Sequence, residues 1–286
     1  MTDGDSKVLW TLITVTFNSA ATLRAHWQGF TAKSGVEWIV VDNDSSDDSA
    51  ETALSLGATQ VVRLDKNIGF GAANNEAYRR ARGSYVAFVN PDITLDQDSL
   101  GELRELVDTQ KALIGPQLTY RDGSLQPSGR NTPSLTNKIL GRLGVKRVQS
   151  RYFIIANAGE CRYVSWLVGA AVVGNKAQFD QLGPRGPWDE AFFVYYEDAD
   201  LGLRGWSQGI PSIVAGDVKW VHGWARATQK VNLKPWRLEF RSMRVFYGRY
   251  PELIFGWRGG RRFRKIWREK WGSRTCESSQ LKGAVL

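Results

Sequence analysis

Three carboxylates within four positions, Glu197, Asp198 and Asp200, stand directly behind the apolar and aromatic run Phe192, Phe193, Val194, Tyr195 and Tyr196. A helix starting near Glu197 carries these acids in its first turn, where the positive end of the helix dipole favours negative charge. A carboxylate held beside an apolar wall loses hydration in its charged form, so its pKa rises toward working pH and it becomes a candidate general base. Asp198 can face a cleft and takes that role. The same acids also suit the first turn of an amphipathic helix with Leu201, Leu203 and Trp206 inward and Arg204 paired to Asp200 at i,i+4. Taken alone, they leave both readings open.

Asp42, Asp92 and His222 offer a second chemistry. Asp42 ends an apolar run at 37–42 and can accept hydrogen bonds from a base or ribose; its other natural task, capping the next helix, can be done by Ser46 or Asp47. Asn90-Pro91-Asp92 follows Val86, Phe88 and Val89, where a charge serves either a site or a cap. Magnesium or manganese is usually held by one or two carboxylates together with substrate phosphates, which fits Asp92. Asn90 stands where a D-x-D pair would have its first acid, so another ligand is needed. His222, at the end of the 218–221 run, can supply it, while His26 reads as an ordinary helix residue. Asn67-Ile68-Gly69-Phe70-Gly71 follows a strand and opens a helix. It matches part of the G-x-G-x-x-G fingerprint, but Asn74 stands at the third glycine. Its glycines permit a tight turn and close approach to a diphosphate, with Asn75 one helical turn further in.

These groups need a scaffold that presents them together. Strand-like runs at 10–17, 37–42, 60–64 and 84–90 alternate with helical periodicity at 19–30, 47–56, 70–82 and 98–109. The alternation predicts an α/β fold with a mostly parallel, doubly wound sheet flanked by helices. Ligands of such sheets bind beyond the carboxyl ends of the strands, where Thr16-Phe17-Asn18, Asp42-Asn43-Asp44 and Asn90-Pro91-Asp92 fall. A turn at 121–123 and a Pro- and Ser-containing segment at 127–136 read as a loop over the sheet edge, and strand-forming residues resume at 162–174 and 210–221.

The chain of 286 residues suits one α/β domain over 8–225 with an appendage at 226–286. Cys161 and Cys276 lack metal-ligand spacing and form no disulfide framework, which points to a reducing compartment. The start is acidic and polar, and the apolar run at 8–17 is too short to span a bilayer, so a cytoplasmic chain is expected. The net charge of +9 is unevenly divided: positions 226–286 carry 16 Lys and Arg against 4 Asp and Glu, and 1–225 carry 22 against 25. On a helix starting after Gly260, Phe263, Ile266, Trp267 and Trp271 fall along one side with cations over much of the rest, the composition of an interfacial helix on an anionic membrane. The same basic tail would suit a nucleic-acid-binding protein, which leaves Asp92, Asp198 and His222 without a task. The partial glycine pattern would suit a nicotinamide-dependent oxidoreductase, which the misplaced third glycine and the acidic helix oppose.

In order along the chain, ITVTFNS, VVDNDSSDDS, NIGFGAANNEA, FVNPDI, IGPQLTYRDGSLQPSGR, WLVGAAVV and FFVYYEDADLGLR with a histidine downstream resemble the family-2 inverting nucleotide-sugar glycosyltransferases of GT-A fold. The resemblance covers roughly 8–250 and is nearest to rhamnosyltransferase-like members. It implies that Thr16 and Asp42 line the nucleotide pocket, with Asn67, Gly69 and Asn75 near the base or diphosphate. It implies that Asp92 is the metal-binding acid with Asn90 two residues before it on the donor-binding side, that His222 is a metal or diphosphate ligand, and that Mg2+ or Mn2+ is the cofactor. Asp198 matches the catalytic base, Glu197 stands at an acceptor or donor contact, and Trp166 and Gly169 fall at the acceptor pocket. The implied donor is a dTDP- or UDP-sugar, foremost dTDP-rhamnose, with galactofuranose, mannose and N-acetylhexosamine open. The implied acceptor is a lipid-linked or polymeric cell-envelope glycan, reached from the inner face of the cell membrane through the basic extension, with no nucleic acid partner.

Overall fold

A computed structural model describes residues 8–223, 233–254 and 276–277. The first half alternates strand and helix: β1 (Trp10–Thr16), α1 (Ala20–Trp27), β2 (Val36–Asp42), α2 (Ser49–Ser55), β3 (Gln60–Arg63), α3 (Phe70–Tyr78) and β4 (Tyr85–Val89). There follow β5 (Ile93–Thr94), α4 (Leu100–Gln110), β6 (Leu113–Thr119), β7 (Gly129–Arg130), α5 (Leu135–Arg142), α6 (Lys146–Tyr152) and β8 (Phe153–Ile154). The remainder comprises β9 (Glu160–Val164), β10 (Trp166–Leu167), β11 (Ala171–Asn175), α7 (Lys176–Asp180), α8 (Glu197–Ser207), β12 (Ser212–His222), α9 (Leu233–Arg249) and β13 (Cys276–Glu277).

The main sheet runs β13-β9-β12-β6-β11-β4-β1-β2-β3, with β5 on β12. Its central strands β1, β2, β4, β6 and β11 are almost wholly buried on both faces, as a sheet covered on both sides by helices requires, and most are rich in β-branched and aromatic residues. Successive residues point to opposite faces. Leu12, Trp38, Val40 and Ala87 therefore join one core with α1, α2 and α4. Ile13, Ile39, Val41 and Phe88 join a second core with α3, α7 and α8. The expected parallel arrangement holds through β3-β2-β1-β4 and again for β6 with β12. Between these blocks β11 runs antiparallel to both β4 and β6, so the whole sheet is mixed. The strand-forming stretch at 162–174 divides into three because β9 pairs β12, β10 pairs β7 in a small second sheet, and β11 enters the main sheet between β4 and β6. The segment expected as a loop at 127–136 contains β7 and the start of α5.

A third core joins Phe192, Tyr196, Ala199 and Leu203 to Phe246, Tyr247 and Leu253. Through it, α9, which lies in the expected C-terminal appendage, packs on α8. The aromatic and basic stretch at 257–271 lies outside the described residues. At the centre of the α8–α9 junction sits Asp200, fully buried. It accepts from Arg204 Nε at 2.6 Å, Arg249 Nη1 at 2.6 Å and Tyr250 Oη at 2.9 Å. Removing one partner of a buried ionic network leaves the opposite charges unpaired at a cost of about 3–5 kcal/mol. Asp200→Ala is expected to lose stability on that scale in urea unfolding, and a loss below about 1 kcal/mol would show the network to be dispensable.

Candidate active site

The parallel register aligns the carboxyl ends of β1 and β2, pairing Thr16 with Asp42. Thr16 Oγ1 donates to Asp42 Oδ1 at 3.1 Å, and both residues are buried. Phe17, the next residue, is 51% exposed and stands as an aromatic face at the mouth of this strand end. Asn43, also buried, binds the loop ahead of α3: its Nδ2 donates to Asn67 Oδ1 at 3.1 Å and its Oδ1 accepts from Ile68 N at 2.9 Å. Asn67 Oδ1 in turn accepts from Gly69 N at 3.0 Å. Gly69 has φ +92, and a Cβ there would fall 2.5 Å from the Phe193 carbonyl oxygen. Glycine is required here by the close approach of the 193 backbone, whose carbonyl also accepts from Phe70 N at 2.8 Å.

Asn75 is fully buried, and its amide is taken up by a distant loop. Its Nδ2 donates to Trp188 O at 2.8 Å and Glu190 Oε1 at 3.1 Å, and its Oδ1 accepts from Trp188 N at 3.1 Å. Asn75 thus positions the 186–190 loop. That loop places Trp188, a residue without any sequence-level signal, with its ring against Gly169.

Asp92 and His222 meet because β5 pairs β12 in the register Ile93 to His222. Asp92 Oδ2 lies 3.3 Å from His222 Nε2. The tautomer follows from Gln126. Its Nε2 donates to the carbonyls of His222 at 3.0 Å and Thr119 at 3.3 Å, so its Oε1, 2.9 Å from His222 Nδ1, must accept a proton from that nitrogen. In neutral His222, Nε2 therefore presents a lone pair toward a carboxylate oxygen. Asp92 Oδ1 is buried with no hydrogen-bond partner among the described residues. Two facing acceptors and one orphaned carboxylate oxygen fit a divalent cation, and the Gln126 contact is the outer hydrogen bond that orients a ligating imidazole. Among the described residues no third Asp, Glu, His or Cys joins them, so substrate phosphates would complete the ligand set.

Asn90 links this pair to the acidic helix, because its backbone N donates to Ala170 O at 2.9 Å. One residue before Ala170, Gly169 N donates to Asp198 Oδ2 at 3.2 Å, and Asp198 Oδ1 accepts from Ala199 N at 2.8 Å. A side chain at Gly169 would meet Asp198 Cβ at 3.3 Å. Trp166 lies under α8, where its Cβ would be 2.5 Å from a Cβ on Gly202. Tyr195 and Tyr196, immediately before α8, have φ +70 and +69. Consecutive left-handed non-glycine residues store strain, held here by packing of Tyr196 on Phe246 at 4.9 Å and by Lys138 over the Tyr196 ring at 4.2 Å.

Asp198 is partly exposed and Glu197 is buried with Oε2 unpartnered among the described residues. Burial, then the neighbouring Asp198 charge, pushes Glu197 up to about 8. Burial also raises Asp198, against the opposing pull of the Gly169 and Ala199 amides and of Arg130. Burial thus disfavours the charge on both acids, and the partly exposed, amide-bound Asp198 is the better seat for a negative charge than the unpartnered Glu197. Arg130, another residue missed in the sequence, supplies the nearby cation. Its Nη1 donates to the carbonyls of Pro127 at 2.6 Å and Gly129 at 2.9 Å, and its guanidinium lies 4.7 Å from the Phe153 ring centre and 5.9 Å from that of Trp166.

The family model for glycosyl transferase family 2 matches residues 11–161. N-acetylglucosaminyl-diphospho-decaprenol L-rhamnosyltransferase of Mycobacterium tuberculosis is 25% identical over 212 residues, 68% of this chain and 68% of its own. Rhamnosyltransferase WbbL of Escherichia coli is 29% identical over 148 residues, 48% of this chain and 53% of its own. The crystal structure of GalNAc-T7 with UDP, GalNAc and Mn2+ shares the fold at a TM-score of 0.59 and 13% identity, covering 93% of this chain and 55% of that one. The architecture is accordingly the expected GT-A fold, and the chain belongs to glycosyl transferase family 2 and is a glycosyltransferase.

Proposed function

We propose that the enzyme transfers a sugar, foremost rhamnose from dTDP-rhamnose, from a nucleotide donor to a lipid-linked or polymeric cell-envelope glycan, with inversion at the anomeric carbon. The observation that carries the reading is the partly exposed Asp198 at the start of α8, held by the Gly169 and Ala199 amides beside the protonated, buried Glu197. In this reading Asp198 takes the proton of an acceptor hydroxyl as its oxygen bonds to the anomeric carbon. The bond from that carbon to the diphosphate oxygen breaks, and the nucleoside diphosphate leaves with the electron pair. Arg130 favours the ionised form of Asp198 and, with Trp166, Gly169 and Glu197, bounds the acceptor side. Thr16 and Asp42 hold the nucleoside, and Asn67, Gly69 and Asn75 shape the loops on the donor side, with Asn90 beside them. Asp92 and His222 would hold Mg2+ or Mn2+, which when bound offsets charge on the departing diphosphate.

Support for the donor comes from two relatives named as rhamnosyltransferases, one of them acting on a diphospho-decaprenol-linked sugar; a neighbour of the same fold binds UDP and Mn2+. We place the enzyme at the inner membrane surface, with transferase residues 8–225 and a basic C-terminal extension whose first helix, α9, docks on α8. Measuring nucleoside diphosphate release from a panel of dTDP-, UDP- and GDP-sugars tests the donor, and best turnover with a donor other than dTDP-rhamnose would replace rhamnose.

Three outcomes follow for the site. Asp198→Asn should lower transfer by about 100- to 10,000-fold while donor affinity stays near wild type, as for loss of a general base; near-normal turnover in the folded variant would remove Asp198 from the role. The pH profile gives the sign of its shift. Asp198 must be ionised to accept a proton and its pKa is raised, so kcat/KM should fall on acidification through a value above the ordinary aspartate range of about 3.9. Ionisation of Glu197 near pH 8 puts a second negative charge beside the base, and Glu197→Gln should abolish the profile's feature in that region while leaving the acid limb in place. For the metal, Asp92→Ala and His222→Ala should each weaken Mn2+-dependent nucleotide binding in calorimetry, and exhaustive chelation should lower wild-type turnover. Full activity after chelation would reassign both residues to direct contacts.

A further inference from the structure

Between Asp122 and Glu160 the chain carries six Lys and Arg and no Asp or Glu. Much of this stretch folds as α5 and α6, joined by Leu143, Gly144 and Val145. One side of α5 is anchored: Leu135 packs on the third core, and Lys138 pairs with Glu239 of α9 at 2.6 Å. Ile139, Leu140, Leu143 and Val145 are instead exposed, Leu143 at 74%. Gly144 turns the chain at φ +81, and nothing lies within 4 Å of where its Cβ would be. The turn is therefore an open apolar tip. Exposed Lys146, Arg147 and Arg151 follow on α6, and exposed Phe153 comes directly after it.

A contiguous apolar patch on a protein surface marks an interaction site. Here the surrounding cations, with no acid among them, select an anionic partner. Nucleic acid offers phosphate charge but no apolar phase for Leu143 and Val145, whereas the boundary between lipid headgroups and acyl chains offers both. We infer that the α5–α6 tip docks on a bilayer of anionic phospholipid, with Leu143 and Val145 entering the acyl boundary and Lys146, Arg147 and Arg151 at headgroup phosphates. This deepens the membrane-surface reading above and uses none of the residues assigned to chemistry. The position of the tip has a functional consequence. The ring of Tyr152, the last residue of α6, lies 6.5 Å from that of Trp166, and the next residue, Phe153, carries Arg130 over its ring at 4.7 Å. The docked tip is thus continuous with the acceptor side of the site, which would sit close to headgroup level.

The test is sedimentation of the full chain with vesicles of phosphatidylglycerol and of phosphatidylcholine. Leu143→Glu with Val145→Glu should weaken phosphatidylglycerol binding about tenfold or more, whereas Leu54→Glu, the same change at an exposed leucine of α2, should leave it unchanged. Lys146→Glu with Arg147→Glu should weaken it and flatten its dependence on salt. All of these positions are exposed, so melting temperatures should match wild type, and transfer to a short water-soluble acceptor should be unchanged. Unaltered vesicle affinity in both double variants, or an equal loss in Leu54→Glu, overturns the proposal. Loss of duplex DNA binding without any vesicle binding in the wild type overturns it in favour of nucleic acid. Vesicle binding is read without any nucleotide sugar, so a failed donor or acceptor assignment leaves this result standing.

Discussion

The buried carboxylate of Asp200 constrains the part of the molecule built around α8, because an anion removed from water must be matched by donors from the elements around it. Its donors come from its own helix through Arg204 and from α9 and the residue after it through Arg249 and Tyr250. Arg204 also donates to the carbonyls of Leu182 and, at 2.7 Å, Pro187, and Arg249 pairs with Asp189 at 2.7 Å. One charge therefore joins α8, α9 and the 182–189 loop. At 3.6 residues per turn, Asp198 stands about 200° around the helix from Asp200. With Asp200 locked inward, Asp198 is turned the other way, toward Gly169.

The same loop is gripped from its other side by Asn75, and the adjoining backbone at Phe193 by the Gly69 turn. The start of α3 thus bears on the start of α8 through backbone contacts that leave no room for a Cβ. Trp188 fills the space between, with its ring edge-on to Phe70 at 5.4 Å and Phe88 at 5.2 Å. The loop ahead of α3, the 182–190 loop and the acidic helix are in consequence one packed unit. A change at either end is felt at the other, because close-packed interiors transmit displacement rather than absorb it.

The mixed half of the sheet brings together segments that are distant in sequence. Inserting β11 antiparallel beside β4 brings the 169–170 turn against Asn90, and running β12 on to pair β5 brings His222 to Asp92. A parallel β11 would have carried the 169–170 turn to the opposite end of the strands, whereas β12, parallel to β6, keeps the direction of β1 to β4 and so ends beside Asp92. The left-handed pair Tyr195 and Tyr196 serves a similar end, redirecting the chain from the aromatic run into α8 so that Asp198 reaches two backbone amides.

The first four strands and their helices were legible in the chain because their order comes from local periodicity, and parallel βα repeats leave few topologies open. The places of Asp42 and Asp92 at or just beyond strand ends and of Asp198 in the first turn of a helix were legible for a related reason, since each follows an apolar run that ends at it or just before it. What only the tertiary structure decided concerns partners distant in sequence. Asn75 reads as a donor-side residue, yet both ends of its amide are consumed 113 positions away. Gln126 and Arg130 lie in a stretch that resembles the family but gave them no role, Trp188 carries no pattern of its own, and all three acquire meaning through His222, Asp198 and Gly169. The helices α5 and α6 were also illegible, since Ile139 and Leu140 are exposed and only Leu135 of α5 reaches a core, so the apolar stripe is too short to announce a helix. Local composition determined which elements form; the pairing of buried polar groups across the fold determined what each of them holds.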